Sequence, residues 1–245
     1  MGKYQGQYEN MWEGLRGDLQ AHKKAVGGDF EAMGTLEFQL LRSLGLHPES
    51  SVVDVGCGSG RLAVRLAPWL KGRYLGTDIL PALLDHARGL CSRDDWQFFT
   101  TDGQFIPAVG ETADFVCFFS VLTHISHEES WRYIQESKRV LKPGGKLVCS
   151  FLEFHIRSHW TIFDETFKDT APNKILNQFL SRDALHAFAY NAGLRIESFL
   201  DGDQANIPLE NDLVFENGTR MSGLGRLGQS VCVMEKPLTP LPSPV

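Results

Sequence analysis

Three acids stand where short apolar runs give way to loops: Asp54 in SVVDVGCGSG, Asp78 in YLGTDIL and Asp102 in FFTTDG. Directly after the first come Gly56, Gly58 and Gly60, spaced two apart. Glycines in such a place let the backbone turn sharply and let a ligand approach with no Cβ in the way. The spacing is G-x-G-x-G, and Arg61 stands where a dinucleotide-binding loop needs glycine or alanine. Asp54 would crowd a pyrophosphate with like charge, whereas a cationic ligand or an ammonium group would be favoured there. Asp78 suits the two hydroxyls of a ribose, or else the N-cap of a helix starting near Pro81. Asp102-Gly103 reads as an acceptor for an adenine amino group or as a plain turn pair.

His124 and His155 follow the fourth and fifth strand candidates, where a positioned imidazole can take a proton from an acceptor hydroxyl. A histidine in such a place more often only packs and bonds locally, and that is the other reading of each. His124 and His127, with Glu128 nearby, have a spacing that metal sites use, but no convincing third ligand accompanies them and no metal is expected. Phe154, Trp160, Phe163 and Phe167 either floor an acceptor pocket or cover the core. Tyr4, Tyr8 and Trp12 recur every four residues, as a lid over a ligand or as simple helix packing.

The elements that must hold these residues alternate. Strand candidates are Val52–Val55, Tyr74–Thr77, Trp96–Thr100, Phe115–Phe119 and Lys146–Phe151; Arg61–Leu70, Pro81–Leu90 and Glu128–Leu141 fit amphipathic helices between them. Such alternation predicts right-handed βαβ units and a parallel sheet covered on both faces. Lys142-Pro143-Gly144-Gly145 reads as a helix-stop turn before the fifth strand. Residues 1–48 are helical in pattern and form an N-terminal cap. The main domain is expected over 49–236, with insertions at about 153–180 and 201–228. Within it Ser181 starts a last helix through Tyr190, followed by the strands LRIESFL and Ser230–Glu235. The Pro-rich stretch 237–245 is expected to be disordered.

The chain has 245 residues and a formal charge of −6, with no basic run longer than Lys23-Lys24. Phosphate-backbone binding needs clustered Lys and Arg, so no nucleic-acid partner is expected. Five cysteines without CxxC spacing argue against a zinc or disulfide framework. The first residues lack a signal-peptide plan, and no apolar run approaches a membrane span. A cytoplasmic protein without a membrane partner is the expectation.

Taken in order, VVDVGCGSG, Asp78, Asp102-Gly103, ADFVCFFSVLTHI and LKPGGKLVCSFL resemble the class I S-adenosylmethionine-dependent methyltransferases over roughly residues 50–152. The resemblance implies a Rossmann-like α/β fold: a seven-stranded, mostly parallel sheet with an antiparallel last strand and helices on both faces. It implies S-adenosylmethionine as cofactor. Gly56, Gly58 and Gly60 would lie against its amino-acid and ribose portion, Asp78 with Ile79 on the ribose, and Asp102, Gly103 and Gln104 around the adenine. Ser120, at the end of the fourth strand, would join this set. Asp54 would hold the loop or face the methionine ammonium. Members that modify adenine or glutamine carry Asn/Asp-Pro-Pro-aromatic after the fourth strand, where this chain reads FFSVLTH. Methyl transfer to a small molecule is therefore expected, on an oxygen of a sugar or secondary metabolite. N- or C-methylation, a nucleotide-dependent oxidoreductase and a non-catalytic cofactor-binding module are the other readings.

Overall fold

The chain was described in a computed structural model covering residues 5–18, 20–103, 105–171 and 174–239. Its helices are α1 (Gln5–Gly14), α2 (Ala21–Ala25), α3 (Phe30–Ser43), α4 (Ala63–Leu66), α5 (Pro81–Cys91), α6 (His127–Val140), α7 (Arg157–Lys168) and α8 (Arg182–Ala192). The strands are β1 (Val52–Val55), β2 (Tyr74–Asp78), β3 (Gln97–Thr100), β4 (Ala113–Phe118), β5 (Leu141–Phe151), β6 (Arg195–Leu200), β7 (Ile207–Pro208), β8 (Leu213–Val214), β9 (Arg220–Met221), β10 (Leu224–Gly225) and β11 (Ser230–Glu235). Seven of them form one sheet in the order β3-β2-β1-β4-β5-β11-β6. β1 pairs in parallel with β2 and β4, and β11 runs antiparallel to both β5 and β6. The alternation of elements in the sequence predicts the parallel part of this sheet, and the family resemblance implies its seven strands and antiparallel last strand.

Side-chain alternation explains why the strands are nearly continuous apolar runs. Val52, Phe115, Cys117 and Val148 pack with Leu36, Leu40 and Leu66 on one face, while Val53, Val55, Val116 and Leu147 pack with Ile134, Val140 and Leu185 on the other. A strand buried on both faces needs an apolar residue at every position. Asp54 interrupts that rule, and as the neighbour of Val53 it points to the α3–α4 face.

Local signals end the helices where the sequence places them. Ser126 and Glu129 form a reciprocal capping box at the start of α6, with Lys138 and Arg139 in its last turn. Ser181 caps α8, and Gly193 ends it in a left-handed conformation. The helix expected over Arg61–Leu70 is shorter, regular only over Ala63–Leu66. Pro68 supplies no N–H, and Trp69 bonds back to Leu66 across a tight turn. The expected turn at Lys142–Gly145 is instead a register shift inside the long β5, opposite Ala113 and Phe115.

The N-terminal residues divide into two parts. Leu36, Leu40 and Leu41 of α3 belong to the core, whereas Tyr8 of α1 and Ala25 and Val26 at the end of α2 line a cavity at the sheet edge. The segment between β6 and β11 is ordered as two small antiparallel pairs, β7 with β10 and β8 with β9. Arg42 of α3 pairs with Glu210 there, and Ile207 and Leu227 enter the core. Residues 240–245 of the Pro-rich stretch lie outside the described residues. Among the described residues, no helix is long and apolar enough to cross a membrane.

Candidate active site

The order of strands reverses between β1 and β4, and in open α/β sheets that reversal leaves a crevice at the strands' carboxyl ends. The cavity here lies at that place, lined from β1, β2, β3 and β4 and from the N-terminal segment.

The loop after β1 turns through three left-handed glycines, Gly56 at φ 69°, Gly58 at φ 55° and Gly60 at φ 91°. A Cβ on Gly56 would stand 2.4 Å from Val121 Cγ2, and one on Gly58 2.4 Å from Val26 Cγ1. Bare backbone is thus needed by the fold itself at both positions, while both still line the cavity. Gly60 does not line it; an added Cβ there would meet Ala87 of α5 at 3.0 Å. Its absent side chain serves helix approach, which corrects the expectation that all three glycines face the ligand.

Asp54 is 3% exposed, and its Oδ2 accepts a hydrogen bond from the Tyr74 hydroxyl at 2.8 Å. Burial pushes its carboxyl up to about 7, and the Tyr74 bond opposes that rise. Asp78 ends β2 and accepts from Gly58 N at 3.0 Å and from Leu80 N at 2.9 Å. It does not cap α5, whose N-cap is Leu80. Instead it ties the glycine loop to the start of that helix and keeps its carboxylate in the cavity wall. Burial raises it to about 6, against the pull of those backbone bonds. Ile79, Asp102 and Gly103 follow along the same wall. Tyr133 of α6 closes it, its phenol held protonated by burial and by the charges of Asp102 and Asp78. Gln104 lies outside the described residues.

Ser120 sits after β4 with φ 61°, a left-handed conformation that costs a serine energy. Three side chains hold it there. Its N–H donates to Ser150 Oγ at 2.7 Å, its Oγ accepts from Gln229 Nε2 at 3.0 Å, and its carbonyl accepts from Thr123 Oγ1 at 2.9 Å. Ser150 donates in turn to Gln229 Oε1 at 2.7 Å, which closes the ring of bonds.

His124 also lines the cavity. Its Nδ1 lies 2.7 Å from the carbonyl oxygen of Leu176. A carbonyl can only accept, so Nδ1 carries the proton, and Nε2 of the neutral ring is a lone-pair acceptor. Burial holds the imidazole below the usual histidine range, partly offset by the Leu176 bond. The Tyr8 ring meets it edge-on at 6.1 Å between centroids. Burial, and then the charge of Asp78, keep the Tyr8 phenol protonated.

His155 is not brought to this cavity. Its side chain is 60% exposed and pairs with Glu153 at 3.0 Å, while Glu153 is itself bound by Arg182. The aromatic insertion also turns elsewhere: Phe154 stacks on Phe179 at 4.6 Å and meets Phe163 edge-on at 5.5 Å. His127 faces the Phe179 carbonyl rather than His124. Among the cavity residues that the sequence reading did not assign to the site are Glu37 of α3, its ion-pair partner Arg61, and Tyr133 and Glu129 of α6. An acid within the apolar pattern Met33, Leu36, Leu40 and Leu44 was the one signal for Glu37.

The donor set tests what the cavity can hold. Asp54, Asp78, Asp102, Glu37 and Glu129 line it, with Arg61 as the single Lys or Arg among the described lining residues. A pyrophosphate would meet like charge there; a nucleoside carrying a sulfonium and an ammonium fits.

Comparison with known proteins agrees in fold and domain type. A family model described as "Methyltransferase domain" matches residues 52–145. The malonyl-[acyl-carrier protein] O-methyltransferase of Hahella chejuensis is 27% identical over 151 residues, 60% of this chain and 51% of that protein. A ubiquinone biosynthesis O-methyltransferase of Cereibacter sphaeroides is 30% identical over 143 residues, 58% of this chain and 53% of its own. The chain therefore spans about half the length of these curated relatives. Among solved structures, the magnesium protoporphyrin IX methyltransferase of Synechocystis PCC 6803, with bound SAH, superposes with a TM-score of 0.62 at 16% identity over 95% of this chain and 96% of that one. A SAM-dependent methyltransferase of Methanosarcina mazei gives 0.59 at 19% identity over 81% and 98%.

Proposed function

The chain carries a class I S-adenosylmethionine-dependent methyltransferase domain, and from that premise we propose that it methylates an oxygen of a small-molecule acceptor. The observation that carries the reading is the pairing of an acid-lined nucleoside cavity with a histidine whose free nitrogen is defined. The residues that would hold the cofactor are Gly56, Gly58, Asp78, Ile79, Asp102, Gly103 and Ser120, with Asp54 beneath the loop. When bound, the cofactor supplies an activated methyl group on a sulfonium.

This chain's residues do the rest. Asp78 holds the ribose end and, through Gly58, fixes the glycine loop beneath it. Tyr8 and Val26 cover the cavity and exclude water. His124 takes the proton from the acceptor hydroxyl at Nε2, and its Nδ1–H, anchored on Leu176, stabilises the charge that arises. The ring is neutral at physiological pH because burial disfavours its cation, so it starts in the form that accepts.

Two relatives named as O-methyltransferases favour oxygen as the acceptor atom. The name of a demethylmenaquinone methyltransferase of Tropheryma whipplei, 31% identical over 114 residues, specifies no acceptor atom, and methylation at nitrogen or carbon is the second reading. The acceptor thus extends beyond a sugar or secondary-metabolite hydroxyl to other small molecules bearing a hydroxyl. The test is incubation of the protein and a metabolite extract with cofactor carrying an isotopically labelled methyl group. Mass spectrometry should find the label on an oxygen of a small molecule. Label on nitrogen or carbon would overturn the acceptor atom, and no transfer to any pool would overturn the activity.

A further inference from the structure

Arg61 is a buried cation in a wall whose other charged residues, among those described, are acids. Its Nη1 donates to the Val26 carbonyl at 3.4 Å and the Gly27 carbonyl at 3.1 Å, and its Nη2 donates to Glu37. A guanidinium has five N–H donors in a fixed fork. Three are used by these partners, and no hydrogen bond from the others to a described residue accompanies them.

Burying such a pair gives little stability by itself, since an apolar pair of the same shape often does as well. The Arg61–Glu37 pair also lies in the cavity wall, close enough to Asp54 for both charges to act on that carboxyl. This end of the cavity therefore offers a guanidinium beside a carboxylate. The other end offers Asp78 and Asp102 with no Lys or Arg among the described lining residues. An amino-acid head, with one carboxylate and one ammonium, is complementary to the first end and not to the second.

The same guanidinium reaches the N-terminal cover. Val26 and Gly27 join α2 to α3, and Ser59 Oγ, two residues before Arg61, donates to the His22 carbonyl at 2.7 Å. Val26 is packed so tightly on the glycine loop that Gly58 has no room for a Cβ. Whatever fixes Arg61 thus fixes residues 22–28 over the cavity.

We infer that Arg61 receives the carboxylate of the cofactor's amino-acid head and, through its bonds to Val26 and Gly27, makes closure of the N-terminal segment depend on that head. The inference rests on the cofactor reading above. It also makes the chain discriminate the full cofactor from nucleoside sulfides that lack the head.

Calorimetry with S-adenosylhomocysteine and with 5′-deoxy-5′-methylthioadenosine, which has the same nucleoside and sulfur but no amino acid, tests it. Arg61→Gln combined with Glu37→Gln leaves no unpaired buried charge. That variant should bind S-adenosylhomocysteine about 10- to 100-fold more weakly and keep its methylthioadenosine affinity, which also shows that it is folded. Glu37→Gln alone keeps the guanidinium and should keep or raise the preference for S-adenosylhomocysteine. Amide hydrogen exchange over residues 20–28 should slow on adding S-adenosylhomocysteine to the unaltered protein. It should not slow with methylthioadenosine, nor with either ligand in the double variant. Equal weakening of both ligands, no weakening, or a lost preference in Glu37→Gln would overturn the assignment of Arg61. Failure of the unaltered protein to bind either ligand would instead overturn the cofactor reading, and Arg61's role with it.

Discussion

The two walls of the cavity are built differently. The wall formed by the loops after β1, β2 and β3 is held by short-range bonds at one sheet edge, such as Gly58 to Asp78 and Leu80 to Asp78. The wall facing it is assembled across the chain: His124 is oriented by Leu176, Ser120 by Ser150 and Gln229, and the cover comes from Tyr8 and Val26. In the proposed reading, the first arrangement holds the nucleoside. The second joins segments distant in sequence, so a change in any of them can alter which acceptor fits.

If the walls have separate tasks, substitutions should separate binding from turnover. The largest effect is expected for His124→Ala, which should lower kcat by about 10²–10⁴-fold while the cofactor affinity changes less than about threefold. A matching loss in affinity would break the distinction between the walls. Next comes Asp78→Ala, expected to weaken S-adenosylhomocysteine by about 10- to 100-fold in calorimetry and to cancel the rise in Tm that this ligand produces.

A pH series sharpens the same contrast. Asp54 at about 7 and Asp78 at about 6 are raised by burial, and a cation favours their ionised forms. Affinity should therefore rise with pH through this range and be roughly tenfold lower at pH 5 than at pH 8, with protons released on binding. The stability of the ligand-free protein should carry the opposite sign from these two groups. Their protonated forms are favoured by folding, so this contribution is fully present only below the ordinary carboxylate range, falls as pH rises from there, and is lost once pH passes about 6 for Asp78 and about 7 for Asp54. An affinity flat from pH 5 to 8 would remove both acids from the ligand's surroundings.

Smaller still is Gln229→Leu, which leaves Ser120 in a left-handed conformation with one bond fewer. It should lower stability by about 1–2 kcal/mol, read from denaturant unfolding, and lower kcat more than affinity. The smallest effect is expected for His155→Ala. Glu153 keeps Arg182 and Ser230 as partners, so turnover should stay within about twofold and stability within about 1 kcal/mol.

The two walls also differ in how far the sequence discloses them. All seven strands of the main sheet are legible: β1, β2, β4, β5 and β11 as largely buried apolar runs that stand out against amphipathic helices, and the more exposed edge strands β3 and β6 as short runs bounded by loops and turns. Asp54, Asp78 and Asp102 are legible because each ends or interrupts such a run. Gly60 misleads, since a glycine that admits a helix and one that admits a ligand carry the same signal. His124 and His155 are indistinguishable as residues following strands; only the Leu176 carbonyl and the Glu153–Arg182 pair separate them. Arg61 and Glu37 meet across a helix and a loop, and no local pattern announces that contact. The shortened helix at Ala63–Leu66 follows from Pro68, whose missing N–H breaks the amphipathic period that its neighbours display.

Titration calorimetry of the unaltered protein at pH 7.5, with S-adenosylhomocysteine in one series and NAD in another, tests the central claim most directly. An acid-lined cavity at the β1–β4 reversal is expected to bind the homocysteine nucleoside with one site per chain and to leave NAD unbound. Binding of NAD, or no heat with S-adenosylhomocysteine, would contradict it.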